Sequence, residues 1–320
     1  MAVLIAVVAV LFIFVSGRND GAPIIAVPSQ SARQRVVLPL VLLWVAIPLV
    51  PAIGISHVAE ALEDLAGFSS SDGLRAFSVL TAVLLTLLLS SLVKVPTSIT
   101  LALVGALTGA ALAVGAAVDG KLLARVLILG LAAPLVAAAL AWLISKIPIH
   151  SVGKLSAAQV VKYLRAAVFP VLVLAYAAND GQKIAFATAL VLGTTVSNVA
   201  SAPLALLAAS TVFLLGVLTG LKQSARFVRH GVTAVRPLAL LSAEASTAIT
   251  VIGGSALGVP LSMTQSLTGS LLGVGLERSH RHVYWSSIRR IALAWVWTLP
   301  AATGISFLLV WGLGAIFGNA

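Results

Sequence analysis

Ala177-Ala178-Asn179-Asp180-Gly181-Gln182-Lys183 stands in the middle of an apolar run, 166–195, that carries no other charge. A second apolar run, 2–28, is interrupted in the same manner by Ser16-Gly17-Arg18-Asn19-Asp20-Gly21, with Pro23 next. A helix crosses the roughly 30 Å hydrocarbon core with about 20 residues, so both runs are long for one span. Each is broken near its centre by the residue types that a bilayer tolerates least. Backbone freed at that depth is acceptable only inside protein or beside an aqueous cavity. A pair of Gly/Pro-interrupted spans at corresponding places is the pattern of a carrier's binding site.

The rest of the chain agrees with a bilayer as solvent. Hydrophobic residues make up 60% of it and charged residues 9%, against about a quarter charged in soluble domains. Long apolar blocks recur, such as Val36–Ile55, Leu122–Ile144 and Ile291–Ile316. The net charge of +11 is explained by basic loops that orient membrane spans, so no nucleic-acid partner is expected. With no Cys, disulfides and thiolate chemistry are excluded. No basic residue precedes the first run, which favours a retained helix over a cleaved signal.

Ten spans are expected, at 2–28, 36–55, 74–93, 95–117, 122–144, 166–195, 199–221, 237–257, 259–276 and 291–316. With the N-terminus outside, fifteen Lys and Arg fall on the inside, including Arg33, Arg35, Lys94, Arg165, Arg236, Arg289 and Arg290, against three outside. The positive-inside rule selects that orientation. Five spans precede the basic stretch 145–165 and five follow it, so the second half runs upside down relative to the first. The halves also match in sequence. Val95-Pro96-Thr97-Ser98-Ile99-Thr100 aligns with Val259-Pro260-Leu261-Ser262-Met263-Thr264 at an offset of 164, and Gly105…Gly109 with Gly269…Gly273. Asn19-Asp20-Gly21 aligns with Asn179-Asp180-Gly181 at an offset of 160, and Pro134 echoes Pro300. The expected fold is therefore an all-α integral membrane protein of two inverted five-span repeats, with broken helices at the midplane. The first repeat covers 1–144, a basic cytoplasmic linker 145–165 and the second repeat 166–320. Inverted repeats are a signature of secondary carriers working by alternating access.

The candidate site follows from the paired motifs. Freed N–H groups at a half-helix start suit an anion, and Asn19, Asn179, Gln182, Lys183 and Arg18 add side-chain donors. Ser98, Thr100, Ser262 and Thr264 follow a Pro at the start of a span. Singly each looks like helix capping; duplicated in inverted halves, the four hydroxyls converge on an anion or a cation. Asp20 and Asp180 are the carboxylates related by the repeat, and hard cations prefer such oxygen donors. Glu244 is the remaining acidic residue inside a span, read either as an ion ligand or as the partner of a base such as Lys183.

At these residues the chain resembles the inorganic phosphate transporter (PiT) family, prokaryotic phosphate permeases included. The family's paired Gly-Ala-Asn-Asp signature stands here as Gly17-Arg18-Asn19-Asp20 and Ala177-Ala178-Asn179-Asp180. Asn179-Asp180-Gly181-Gln182-Lys183 looks like its prokaryotic form, and Pro96–Leu101 and Pro260–Gln265 resemble its Pro-Val-Ser-Thr-Thr-His motif. The departures are Pro23, Arg18, Ile99, Met263, Leu101 and Gln265, which remove two hydroxyls and two imidazoles. The resemblance implies symport of inorganic phosphate with Na⁺ or H⁺ across the cell membrane, with no enzyme activity. It implies no cofactor and no metal besides Na⁺; a homodimer is left open. Sulfate is the competing substrate on the same scaffold. Phosphate has a proton to donate, which Asp20 or Asp180 would accept. An intramembrane lipid-phosphate enzyme would need a carboxylate cluster or a His–Glu motif. The one cluster, Glu60, Glu63 and Asp64, lies in a loop without a repeat partner.

Overall fold

The computed structural model describes residues 1–29, 37–68, 72–92, 97–151, 153–234 and 237–317. Arg33, Arg35, Lys94, Val95, Pro96 and Arg236 lie outside these ranges. The described residues are helical with no strand, apart from a single bridge between Thr233 and Val283. In chain order the helices are α1 Ala2–Ser16, α2 Ala22–Ser29, α3 Val37–Ala52, α4 His57–Ala66, α5 Gly73–Leu92, α6 Ile99–Ala113 and α7 Gly120–Ser145. They continue with α8 Ala157–Tyr176, α9 Gln182–Leu192, α10 Val196–Val199, α11 Pro203–His230, α12 Pro237–Ala256, α13 Met263–Arg278 and α14 Trp285–Phe317.

Among the described residues, seven helical stretches are long and apolar enough to cross a membrane, or up to eight if the bent pair α3 and α4 is one span. The chain is thus built as a multi-pass membrane protein. The difference from ten spans has a physical reason. Helices α6 and α13 have only 15 and 16 residues, about 23 Å at 1.5 Å per residue, short of the hydrocarbon thickness. They are buried on nearly every face, so they meet protein rather than lipid. Helix α4 lies inside the acidic stretch expected to be a loop, bent 66° from α3, and buries Val58, Leu62 and Leu65 while Glu60 faces out.

The expected breaks are not unwound. Residues Gly17–Gly21 and Ala177–Gly181 are π-helical turns, joining α1 to α2 and α8 to α9 as continuous helices. At the first turn the Ala22 N–H reaches back five residues to the Gly17 carbonyl. A π-turn keeps the backbone hydrogen-bonded while admitting an extra residue, which swings the Asn-Asp side chains out of register with the helix. The freed N–H groups lie instead at the starts of α6 and α13.

Close approach is set by small residues at four-residue spacing, the packing device of membrane helices. A Cβ at Gly109 would collide with the Thr303 carbonyl of α14, and one at Gly273 with the Ala138 carbonyl of α7. The first-half helix α6 therefore packs on second-half α14, and second-half α13 on first-half α7. One turn earlier, a Cβ at Gly105 would meet the Leu299 carbonyl and one at Gly269 the Pro134 carbonyl.

Helix α8 begins at Ala157, inside the stretch assigned to the linker, because Ser156 and Gln159 form a reciprocal capping box. Arg165 is thereby carried into the bundle. Its Nη2 lies 2.7 Å from Glu244 Oε1 and its Nε 3.0 Å from Oε2. Glu244 is thus the partner of Arg165 rather than of Lys183, and both of its oxygens are engaged.

Two stability outcomes follow. Gly273→Leu should abolish a monodisperse, thermally stable protein in detergent, since overpacking against rigid backbone costs at least about 1–3 kcal/mol. Gly304→Leu, where a side chain meets open space, should melt like the wild type; equal melting of both variants would contradict the packing. Glu244→Ala should destabilise by about 3–5 kcal/mol by removing the carboxylate that pairs with a buried guanidinium. The apolar pair Arg165→Met with Glu244→Leu should recover most of that loss, read as the melting temperature by size-exclusion chromatography.

Candidate functional site

The two π-turns and the two capped helix starts meet through hydrogen bonds. Asn179 Nδ2 donates to the Leu261 carbonyl at 2.6 Å and to Asp180 Oδ2 at 3.1 Å, while its Oδ1 accepts from the Leu261 N–H at 2.9 Å. In the first half, Asn19 Nδ2 donates to the Thr97 carbonyl at 3.2 Å and to Asp20 Oδ1 at 2.9 Å. Thr97 and Leu261 hold equivalent places in the two Pro-x-Ser motifs, so each Asn grips the carbonyl just before its own capped helix. That carbonyl is free because intrahelical bonding begins only at the N-cap. Here the first such bonds are accepted by Ser98 and Ser262.

Contacts also cross between the halves. Lys183 Nζ lies 2.7 Å from Asp180 Oδ1, 2.7 Å from the Leu261 carbonyl and 2.6 Å from Thr100 Oγ1. Thr100 also donates to the Leu261 carbonyl at 2.9 Å. In the second half, Thr264 stands where Thr100 stands in the first, with its hydroxyl in contact with Ser262. Asp20, Asn179, Asp180 and Lys183 are all buried. Among the described residues, Asp180 has a salt-bridge partner and Asp20 has none.

Ser98 and Ser262 are N-caps, accepting from the Leu101 N–H at 3.2 Å and the Gln265 N–H at 3.3 Å. Capping uses an oxygen lone pair and leaves each O–H to donate; Ser262 and Thr264 share a contact of 3.0 Å. Gln182 serves a different helix: its Oε1 accepts from the Val58 and Ala59 N–H groups at 2.8 and 3.1 Å, and its Nε2 donates to Ala178. It caps α4 from outside that helix. It also floors a cavity bordered by Pro51, Ser56 and Ala200, of about 110 Å³.

Of the residues chosen from sequence, the structure brings together Asn19, Asp20, Asn179, Asp180, Lys183, Ser98, Thr100, Ser262 and Thr264. It does not bring Arg18 to them, for that side chain is exposed and forms no ion pair with Asp20 among the described residues. The residues overlooked were Arg165, Gln265 and Ser266. The capping box Ser156-x-x-Gln159 was the signal that would have placed Arg165 inside a helix. Gln265 Nε2 and Ser266 Oγ, in the first turn of α13, are buried with no hydrogen-bond partner among the described residues. Only the packed site makes that visible.

Residues 149–306 match the model of the phosphate transporter family. A protein of Mycobacterium leprae named "Probable low-affinity inorganic phosphate transporter" is 30% identical over 149 residues, covering 45% of this chain and 36% of that protein. One of the same name from Rhizobium meliloti is 37% identical over 94 residues, 29% of this chain and 28% of its own. The match thus spans about a third of the length of these curated relatives. A solved structure described as "The sodium-dependent phosphate transporter" superposes with a TM-score of 0.80 at 19% identity, covering 98% of this chain and 99% of that one. That likeness shows a shared fold over the whole chain. Over residues 149–306, the chain is thus similar to the phosphate transporter family.

Proposed function

We propose that the chain is a symporter that takes up inorganic phosphate with Na⁺ or H⁺, by alternating access between two inverted repeats in the cell membrane. The observation that carries this reading is the pair of unpartnered donors, Gln265 Nε2 and Ser266 Oγ, at the start of a 16-residue helix whose cap is buried. A helix N-terminus with spare donors suits a tetrahedral oxyanion, and leaving such donors buried without a ligand is costly. Gln265 supplies an amide where the family motif has His. The Ser98 and Ser262 hydroxyls add two further donors, and Asp20 supplies an acceptor for the proton that phosphate carries and sulfate lacks.

Inversion of the repeats is supported by the crosswise contacts. Asn19 to the Thr97 carbonyl repeats as Asn179 to the Leu261 carbonyl. Thr100 of the first half also reaches across to Lys183 and the Leu261 carbonyl of the second. In that frame the N-terminus is outside and the basic loops face the cytoplasm, in keeping with the positive-inside rule. Phosphate must enter against a negative interior, so a cation has to accompany it, and a carboxylate beside backbone carbonyls is a fitting ligand.

The test is radiolabelled phosphate uptake into proteoliposomes, with Na⁺ and pH gradients imposed separately and sulfate as competitor. Gradient-driven uptake that sulfate does not displace is expected; preferential displacement by sulfate would transfer the reading to a sulfate permease. Gln265→Leu with Ser266→Ala should raise the phosphate KM about tenfold or more, the scale of lost hydrogen bonds to a charged group. Its melting temperature should not fall, since Gln265 Nε2 and Ser266 Oγ have no hydrogen-bond partner among the described residues. Asp20→Asn should abolish gradient-driven uptake in a folded protein, whereas full uptake would show that its charge is not used.

A further inference from the structure

The two Asn-Asp turns offer the same oxygens but not the same occupant. At the second turn, a carboxylate (Asp180), a hydroxyl (Thr100) and a backbone carbonyl (Leu261) surround one point at 2.6–2.7 Å, and the Lys183 ammonium fills it. At the first turn, the repeat supplies the counterparts: the Asp20 carboxylate and the Thr97 carbonyl, linked by Asn19, with Thr264 as the sequence counterpart of Thr100. The residue in the place of Lys183, at the offset of 160 that relates the turns, is Pro23. A proline carries neither charge nor donor. Asp20 is 1% exposed, and among the described residues no cation forms a direct ion pair with it; the Lys183 charge acts on it from the second turn.

A lysine ammonium is a compact point charge with three donors, and here all three are directed at oxygens. Backbone carbonyls and carboxylates of this kind are what carriers use to hold coupling ions. We infer that Lys183 is a resident, tethered cation occupying the second of two quasi-equivalent cation sites, so that only the first, at Asp20, takes a mobile ion. The inference rests on the symport reading above and deepens it: the number of cations moved with each phosphate is lowered by one, at the cost of one lysine fixed in the site. It also separates the carboxylates by role. Asp20 exchanges its cation in each cycle, and Asp180 keeps its own.

The experiment compares the full chain with Lys183→Gln in proteoliposomes. Radiosodium entry, proton entry and phosphate entry are measured together to give the mobile cations moved per phosphate. The wild type should move one, and the variant two, with a steeper dependence of uptake on the activating cation, since a Hill coefficient is bounded by the number of sites. Two mobile cations in the wild type would overturn the inference whether or not the variant folds. An unchanged count in an active variant would overturn it too, leaving Lys183 a structural pin. If neither protein moves phosphate, the symport reading fails, and a phosphate-free measurement still decides this one. Melting temperature titrated with NaCl against choline chloride, and with acid in choline, should then show a cation stabilisation in Lys183→Gln beyond that of the wild type. Superimposable curves would overturn the resident-cation assignment.

Discussion

One backbone carbonyl, that of Leu261, accepts from Asn179, Lys183 and Thr100 at 2.6, 2.7 and 2.9 Å, and much of the site depends on it. The oxygen is available because Leu261 sits just ahead of the N-cap Ser262, where helical hydrogen bonding has not begun. In water such a group would be solvated at no cost. Inside an apolar bundle it must be satisfied by protein, and the donors that satisfy it come from the π-turn of one half and the helix start of the other. The same requirement draws Asn19 to the Thr97 carbonyl. Polar satisfaction thus acts as the assembly rule that brings four distant segments together.

That convergence needs helices to lie unusually close, and the glycine spacing supplies the room. With hydrogens at Gly109 and Gly273, α6 and α13 approach the backbones of α14 and α7 to a distance that a methyl group would forbid. Enclosed on nearly every face, these two helices can be short, and α13 can carry Ser, Thr and Gln along its length. Their capped N-termini then stop within the protein interior instead of at a membrane face. The Arg165–Glu244 pair performs a related task between α8 and α12, neutralising two charges that are costly to bury unpaired.

How the Asn-Asp motifs are accommodated bears on how such a site moves. A π-turn is a small departure from the α-helix, and it leaves the polar side chains anchored on rigid rods. A displacement of α8–α9 relative to α13 would break the bonds of Asn179 and Lys183 to Leu261 together.

Much of this was legible in the amino-acid order. Unbroken apolar runs dictate membrane helices because hydrocarbon admits no unpaired backbone, and the paired Asn-Asp and Pro-x-Ser motifs marked the residues that gather at the centre. The resemblance to phosphate transporters rests on those same residues. Span number was less legible, since hydropathy cannot distinguish a helix enclosed by protein from one enclosed by lipid; α6 and α13 are apolar for the first reason. Nor does sequence distinguish an unwound break from a π-turn, because Gly and Asp serve both. Packing alone decided the partners. Glu244 faces Arg165 because a capping box starts α8 at Ala157, Lys183 is held by Thr100 of the other half, and Arg18 turns outward. Those pairings join residues many tens of positions apart, and only the folded bundle sets the distances at which charges and donors find one another.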